Sequence, residues 1–133
     1  MSRSVAWWWV AIACVVLTFD TAASLVSTTT GIPYTAFAIG SYVIYFMAGY
    51  LVGRRFGMSA GIAAGAVAGI TDATLGWLVS WLLSAASAEG EIGPALVLGT
   101  IVIVAAGATV LGAIGALVGR RAASRAAGIG AGS

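Results

Sequence analysis

Four long apolar stretches divide the chain, each closed by a short polar or glycine-rich break. They cover residues 5–26, 34–53, 58–83 and 95–119. A helix needs about 20 apolar residues to cross roughly 30 Å of hydrocarbon, and each stretch meets that length. The breaks are no longer than turns require. STTTGIP (27–33) has turn composition and ends the first helix, with Pro33 placed to open the second. Arg54 and Arg55 mark a membrane boundary between the second and third stretches. SAASAEGEIGP (84–94) is small, polar and acidic and reads as the second hairpin loop. Residues 120–133 have too little apolar bulk to pack and read as a frayed cytoplasmic tail. The first stretch reads as a span rather than a cleaved leader, because Trp7, Trp8 and Trp9 suit an interfacial anchor. The pattern predicts an all-α membrane four-helix bundle, one domain made of two hairpins.

From the end of the second stretch into the third, glycines recur every four residues at Gly53, Gly57, Gly61, Gly65 and Gly69, followed by a lone acid, Asp72. At about 100° per residue, Gly61, Gly65, Gly69, Asp72 and Gly76 fall within an arc of roughly 80°. Small residues at this spacing let helix backbones approach closely. Gly53, Gly57, Gly61, Gly65, Gly69 and Gly76, with Gly107, Gly112, Gly115 and Gly119 of the fourth stretch, are therefore the expected packing positions of a glycine zipper. Packing within the subunit is the first use of such a face, and a homo-oligomeric seam the second. Trp77 and Trp81 are expected on the opposite, lipid-facing side, away from Asp72.

The sequence also repeats itself. AGYLVGRR at 48–55 returns as IGALVGRR at 114–121, and FDTA at 19–22 has a weaker echo in TDAT at 71–74. A duplicated hairpin, giving a parallel internal repeat about an axis along the membrane normal, would produce both matches. Chance similarity in a Gly/Ala/Val-rich sequence would do so as well.

Composition agrees with the pattern. Of 133 residues, 61% are hydrophobic and 8% charged, with mean hydropathy +1.07, against about 25% charged in soluble domains. The net charge of +2 comes without lysine or histidine. With four spans, Arg3, Arg54, Arg55, Arg120, Arg121 and Arg125 fall on one side, and Glu89 and Glu91 on the other. Arginines so placed are topology signals, and the positive-inside rule puts both termini in the cytoplasm. Glycine and alanine richness without lysine points to a bacterial inner membrane. The lipid bilayer is the expected partner, with a homo-oligomer or a larger membrane complex beside it, and nothing argues for nucleic acid.

The chemistry is concentrated in two residues. Asp20 and Asp72 are the only acids within the spans, and each lies roughly 21 to 23 Å from the cytoplasmic end at 1.5 Å per residue. A mid-helix acid costs about 2.5–3.5 kcal/mol on insertion scales, so it faces a bundle interior or a wet cavity. Ser24 and Ser27 follow Asp20, and Ser80 and Ser84 follow Asp72, so hydroxyls lead outward from each acid. Tyr42 and Tyr45 in the second span are placed to reach an acid. Asp20, Asp72, Ser24, Ser80 and Tyr45 are thus the candidate proton- or cation-binding set. The alternative is that both acids are hydrogen-bonded glue between helices. With no histidine and one cysteine, Cys14, no metal site, cofactor or catalytic residue is expected, and the chain does not read as an enzyme. Two functions remain. The first is an accessory, assembly or scaffold component packed through glycine faces; the second is a small proton- or cation-linked transporter or channel.

Overall fold

The structure, a computed structural model, describes residues 3–83 and 94–130. Among them every regular element is helical. They are α1 (Arg3–Thr30), a short 3-10 turn (Tyr34–Phe37), α2 (Ala38–Phe56), α3 (Met58–Thr71), a π-helical turn (Asp72–Gly76), α4 (Trp77–Leu82) and α5 (Pro94–Gly130). α3, the π turn and α4 form one continuous third span. Ala6–Thr30, Tyr34–Phe56, Met58–Leu82 and Leu96–Arg125 are each long and apolar enough to cross a membrane. The shortest has 23 residues, about 35 Å of helix against roughly 30 Å of hydrocarbon. The molecule is an all-α four-helix bundle of the multi-pass membrane type. The acidic loop with Glu89 and Glu91 lies outside the described residues.

Two boundaries differ from expectation, each for a local reason. α1 continues through Ser27–Thr30, where a turn was expected, because the three threonine hydroxyls bond back onto the helix. Thr28 donates to Ser24 O (3.0 Å), Thr29 to Leu25 O (2.8 Å) and Thr30 to Val26 O (2.6 Å), which removes polar groups from an apolar surrounding. The chain reverses only at Gly31, whose φ of 74° suits glycine. There Ser27 donates to Ile32 O at 2.7 Å. At the other end, the expected tail is helical to Gly130. Its Ala- and Arg-rich sequence favours helix, and Ser124 donates to Arg120 O at 3.1 Å.

α2, α3 and α5 form a tight triad made possible by missing side chains. A Cβ on Gly65 would lie 2.6 Å from Gly112 Cα and 2.7 Å from Ala108 O; one on Gly61 would lie 2.5 Å from Ala116 Cβ and 2.7 Å from Gly49 O. Gly69 lies against Ala108. Around these contacts Val52, Ala64, Ala68 and Ala116 are fully buried. Gly53 of α2 and Gly112 of α5 are as tightly held as Gly61 and Gly65, and so is Gly49 of α2, which was not among the expected packing positions. The α2–α5 seam is reciprocal: Gly49 meets Gly112 while Gly115 meets Phe46, and Gly53 meets Ala116 while Gly119 meets Tyr50. These partners are related by the 66-residue offset of the AGYLVGRR and IGALVGRR segments. The reciprocity ends there, for α1 packs chiefly on the third span rather than on α2.

Two expected packing positions do not pack. Gly57 is the turn between α2 and α3, with φ 96° and ψ 173°, and nothing lies within 4 Å of its Cβ position. Gly107 likewise has open space, because the first part of α5 leaves the triad: Leu96, Leu98, Val102 and Ile103 are exposed, and from Leu96 onward Ala108 is the first fully buried residue. Arg54 and Arg55 end α2 beside Gly119 of α5. α1 starts at this same end, where Trp8 meets Phe56 edge-on with ring centroids 6.5 Å apart. The arginines are therefore remote from both intramembrane acids.

Candidate functional site: a carboxylate pair beside an aromatic cavity

α1 buries Ile12, Val16, Asp20, Ala23, Ser24 and Ser27, whose spacing places them on one helical face. This stripe is apolar up to Val16, and its polar members, Asp20, Ser24 and Ser27, all lie between there and the hairpin turn. It lies against the π turn and α4, which present Asp72, Gly76 and Ser80. The polar halves of the two helices meet. Ser80 donates to Gly76 O (3.0 Å) and its oxygen pairs with Ser24 at 2.8 Å, both side chains being fully buried.

One step further in, the two acids come together over Gly76. Asp20 Oδ2 and Asp72 Oδ1 both lie within 3.4 Å of the point a Cβ on Gly76 would occupy. Any larger residue there would push the carboxyl groups aside. Asp20 is fully buried; its Oδ1 accepts from the Tyr34 hydroxyl at 3.1 Å. Asp72 is half-buried, and its Oδ2 accepts from the Tyr45 hydroxyl, itself within a side chain that is 1% exposed. Asp20 Oδ2 has no donor against it and faces the other carboxyl group. A proton on one of the pair, or a cation between them, would supply its missing partner.

The π turn sets this geometry. Trp77 N–H donates to Asp72 O, a step of five residues instead of four, which brings residues five apart nearly one above the other. Trp77, expected on the opposite side from Asp72, therefore joins it in the wall of a cavity of about 250 Å³. Tyr34, Tyr42, Tyr45, Phe19 and Phe37 complete the aromatic lining, with Ser41, Thr35 and Thr100 among the polar residues. The cavity opens between the α1–α2 hairpin end and the diverging part of α5.

No protein-family model, curated protein or solved structure matches this chain. Its chemistry is read from the site alone.

The structure thus gathers all five members of the candidate binding set: Asp20 and Asp72 face one another, Tyr45 holds Asp72, and Ser24 and Ser80 close the seam above. Ser84 lies outside the described residues. Tyr34, Phe19 and the cavity itself were not anticipated. Tyr34 follows Pro33 at the hairpin, and only the fold of that turn shows which way its hydroxyl reaches. Trp7 and Trp81 remain exposed, as membrane-facing aromatics do.

Proposed function

We propose that this protein is a small, non-enzymatic carrier of the bacterial inner membrane, with both termini cytoplasmic, whose working centre is the Asp20–Asp72 pair. The pair takes up a proton or a cation from the cavity on the outer side. The observation that supports this reading is the buried Asp20 Oδ2, which faces a second carboxyl group with no donor against it. Two adjacent carboxylates repel, and sharing one proton or one cation relieves both. Intramembrane acids without a basic partner mark ion or proton pathways. The outward placement follows from the arginines at the opposite end of the bundle and the positive-inside rule.

The test is infrared spectroscopy of the carboxyl bands in lipid, from about pH 4 to about pH 9, with Asp20→Asn and Asp72→Asn for assignment. Bands that titrate, and an Asp20 band that moves when Asp72 is replaced, are expected for a coupled, water-accessible pair. Bands fixed throughout, each indifferent to loss of the other acid, would refute the reading.

The dry Ser24–Ser80 bond favours a second role, an assembly or scaffold component in which the polar seam is glue. In that case Asp72→Asn, whose amide still hydrogen-bonds, preserves function.

A further inference from the structure

Six of the thirteen lining residues of the cavity are aromatic, namely Phe19, Tyr34, Phe37, Tyr42, Tyr45 and Trp77, in a chain that is 10% aromatic overall. Aromatic residues that merely anchor helices gather at the membrane interfaces. Here they converge instead on one space that also holds the half-buried Asp72. The volume is about 250 Å³, more than ten times the 10–15 Å³ or so that one water needs. A hard inorganic cation asks for a shell of oxygen ligands. This wall is mostly apolar ring surface with one carboxyl group; its other oxygens are neutral hydroxyls of threonine, serine and tyrosine, and no arginine is there to attract an anion. Ring faces attract organic ammonium groups, and apolar walls with a few convergent polar groups are the usual make-up of a small-molecule site.

Building on the carboxylate-pair reading, we propose that the cavity binds an organic cation: a quaternary or protonated amine carrying an aromatic or branched alkyl body. Its charge meets Asp72, backed by Asp20, and its body lies against Trp77, Tyr42 and Phe19. Entry is from the side of the bundle where Tyr42 and Thr100 are exposed. The carboxylate pair is then a common site for proton and amine, each displacing the other.

Isothermal titration calorimetry of the full chain in lipid nanodiscs, with benzyltrimethylammonium chloride as the probe, tests this. Saturable one-site binding is expected. Asp72→Asn should weaken it about tenfold or more, as loss of a desolvated charge partner would. Trp77→Leu should weaken it several-fold. Thr100→Trp guards against misfolding at Trp77: it changes an exposed residue of α5 and fills the cavity, so it too should weaken binding. Binding that is absent in the wild type, or unchanged in both Trp77→Leu and Thr100→Trp, overturns the assignment. If the acids still titrate in that event, only the organic-cation site falls. Acids that do not titrate, together with no binding, would remove the carboxylate-pair reading as well.

Discussion

Two glycine-to-alanine changes should move stability in opposite directions, although they add the same methyl group to two glycines that the sequence alone marks as packing positions. At Gly65 the new carbon would sit 2.6 Å from Gly112 Cα and 2.7 Å from Ala108 O. Carbon atoms prefer about 3.5–4.0 Å, so α3 and α5 would have to separate by about 1 Å. The atoms it meets belong to backbone, which no rotamer change can clear. Overpacking of this kind costs about 1–3 kcal/mol, partly offset by the gain of about 0.8–1 kcal/mol from replacing glycine within a helix. The net expectation for Gly65→Ala is destabilisation by up to about 2 kcal/mol, a shift of as much as about thirtyfold in the unfolding equilibrium. At Gly107 nothing lies within 4 Å, so only the helix-propensity gain remains. Gly107→Ala should stabilise by about 0.5–1 kcal/mol. Reversible unfolding in mixed micelles, titrated with a denaturing detergent and followed by tryptophan fluorescence, measures both. Equal effects, or a more stable Gly65→Ala, would refute the close approach of α3 to α5.

Two further changes separate strain from space. Gly57→Ala meets no atom within 4 Å, but φ 96° with ψ 173° is backbone that only glycine adopts readily; the same unfolding assay should show a loss of about 1–3 kcal/mol, and an unchanged midpoint would contradict it. Gly76→Ala places a methyl group against the Asp20 carboxylate, 2.8 Å from its Cγ. It should uncouple the Asp20 and Asp72 infrared bands without unfolding the helices, and bands that remain coupled would show that the carboxyl groups do not meet over Gly76.

How much of this was legible depends on the kind of information involved. The spans were readable because length and apolarity alone decide what crosses hydrocarbon. Asp20 and Asp72 stood out because an intramembrane acid has to be buried against something. The packing glycines were only partly readable: periodicity places Gly57 and Gly107 in a stripe, but a stripe does not say where a turn begins or where a neighbouring helix departs. Gly49 carries as much of the packing as Gly65, and its sequence surroundings do not distinguish it from the glycines that face open space. Ser27–Thr30 reads as a turn by composition, whereas hydroxyls that bond back to carbonyls let the helix run on.

The π turn is the feature that sequence periodicity most misjudges, and it is what makes the site coherent. On a regular helix Ser80, eight residues beyond Asp72, would point about 80° away from it, and Trp77, five beyond, about 140° away. A five-residue step absorbs one residue, so their offsets become those of seven and four residues, about 20° and 40°. Asp72 can then face Asp20 while Ser80 faces Ser24 and Trp77 borders the cavity. Deleting Leu75, an exposed residue within the turn, should convert the π turn to ordinary α-helix without rotating α4 relative to α1. Deleting Ala66 from α3 should rotate everything beyond it by about 100°. The pair Ser24→Cys with Ser80→Cys reports the register, since serines bonded at 2.8 Å bring the replacing thiols within reach of a disulfide. Oxidative crosslinking should survive deletion of Leu75 and be lost on deletion of Ala66. Loss of crosslinking on deletion of Leu75 would mean that the turn does not act as a one-residue insertion.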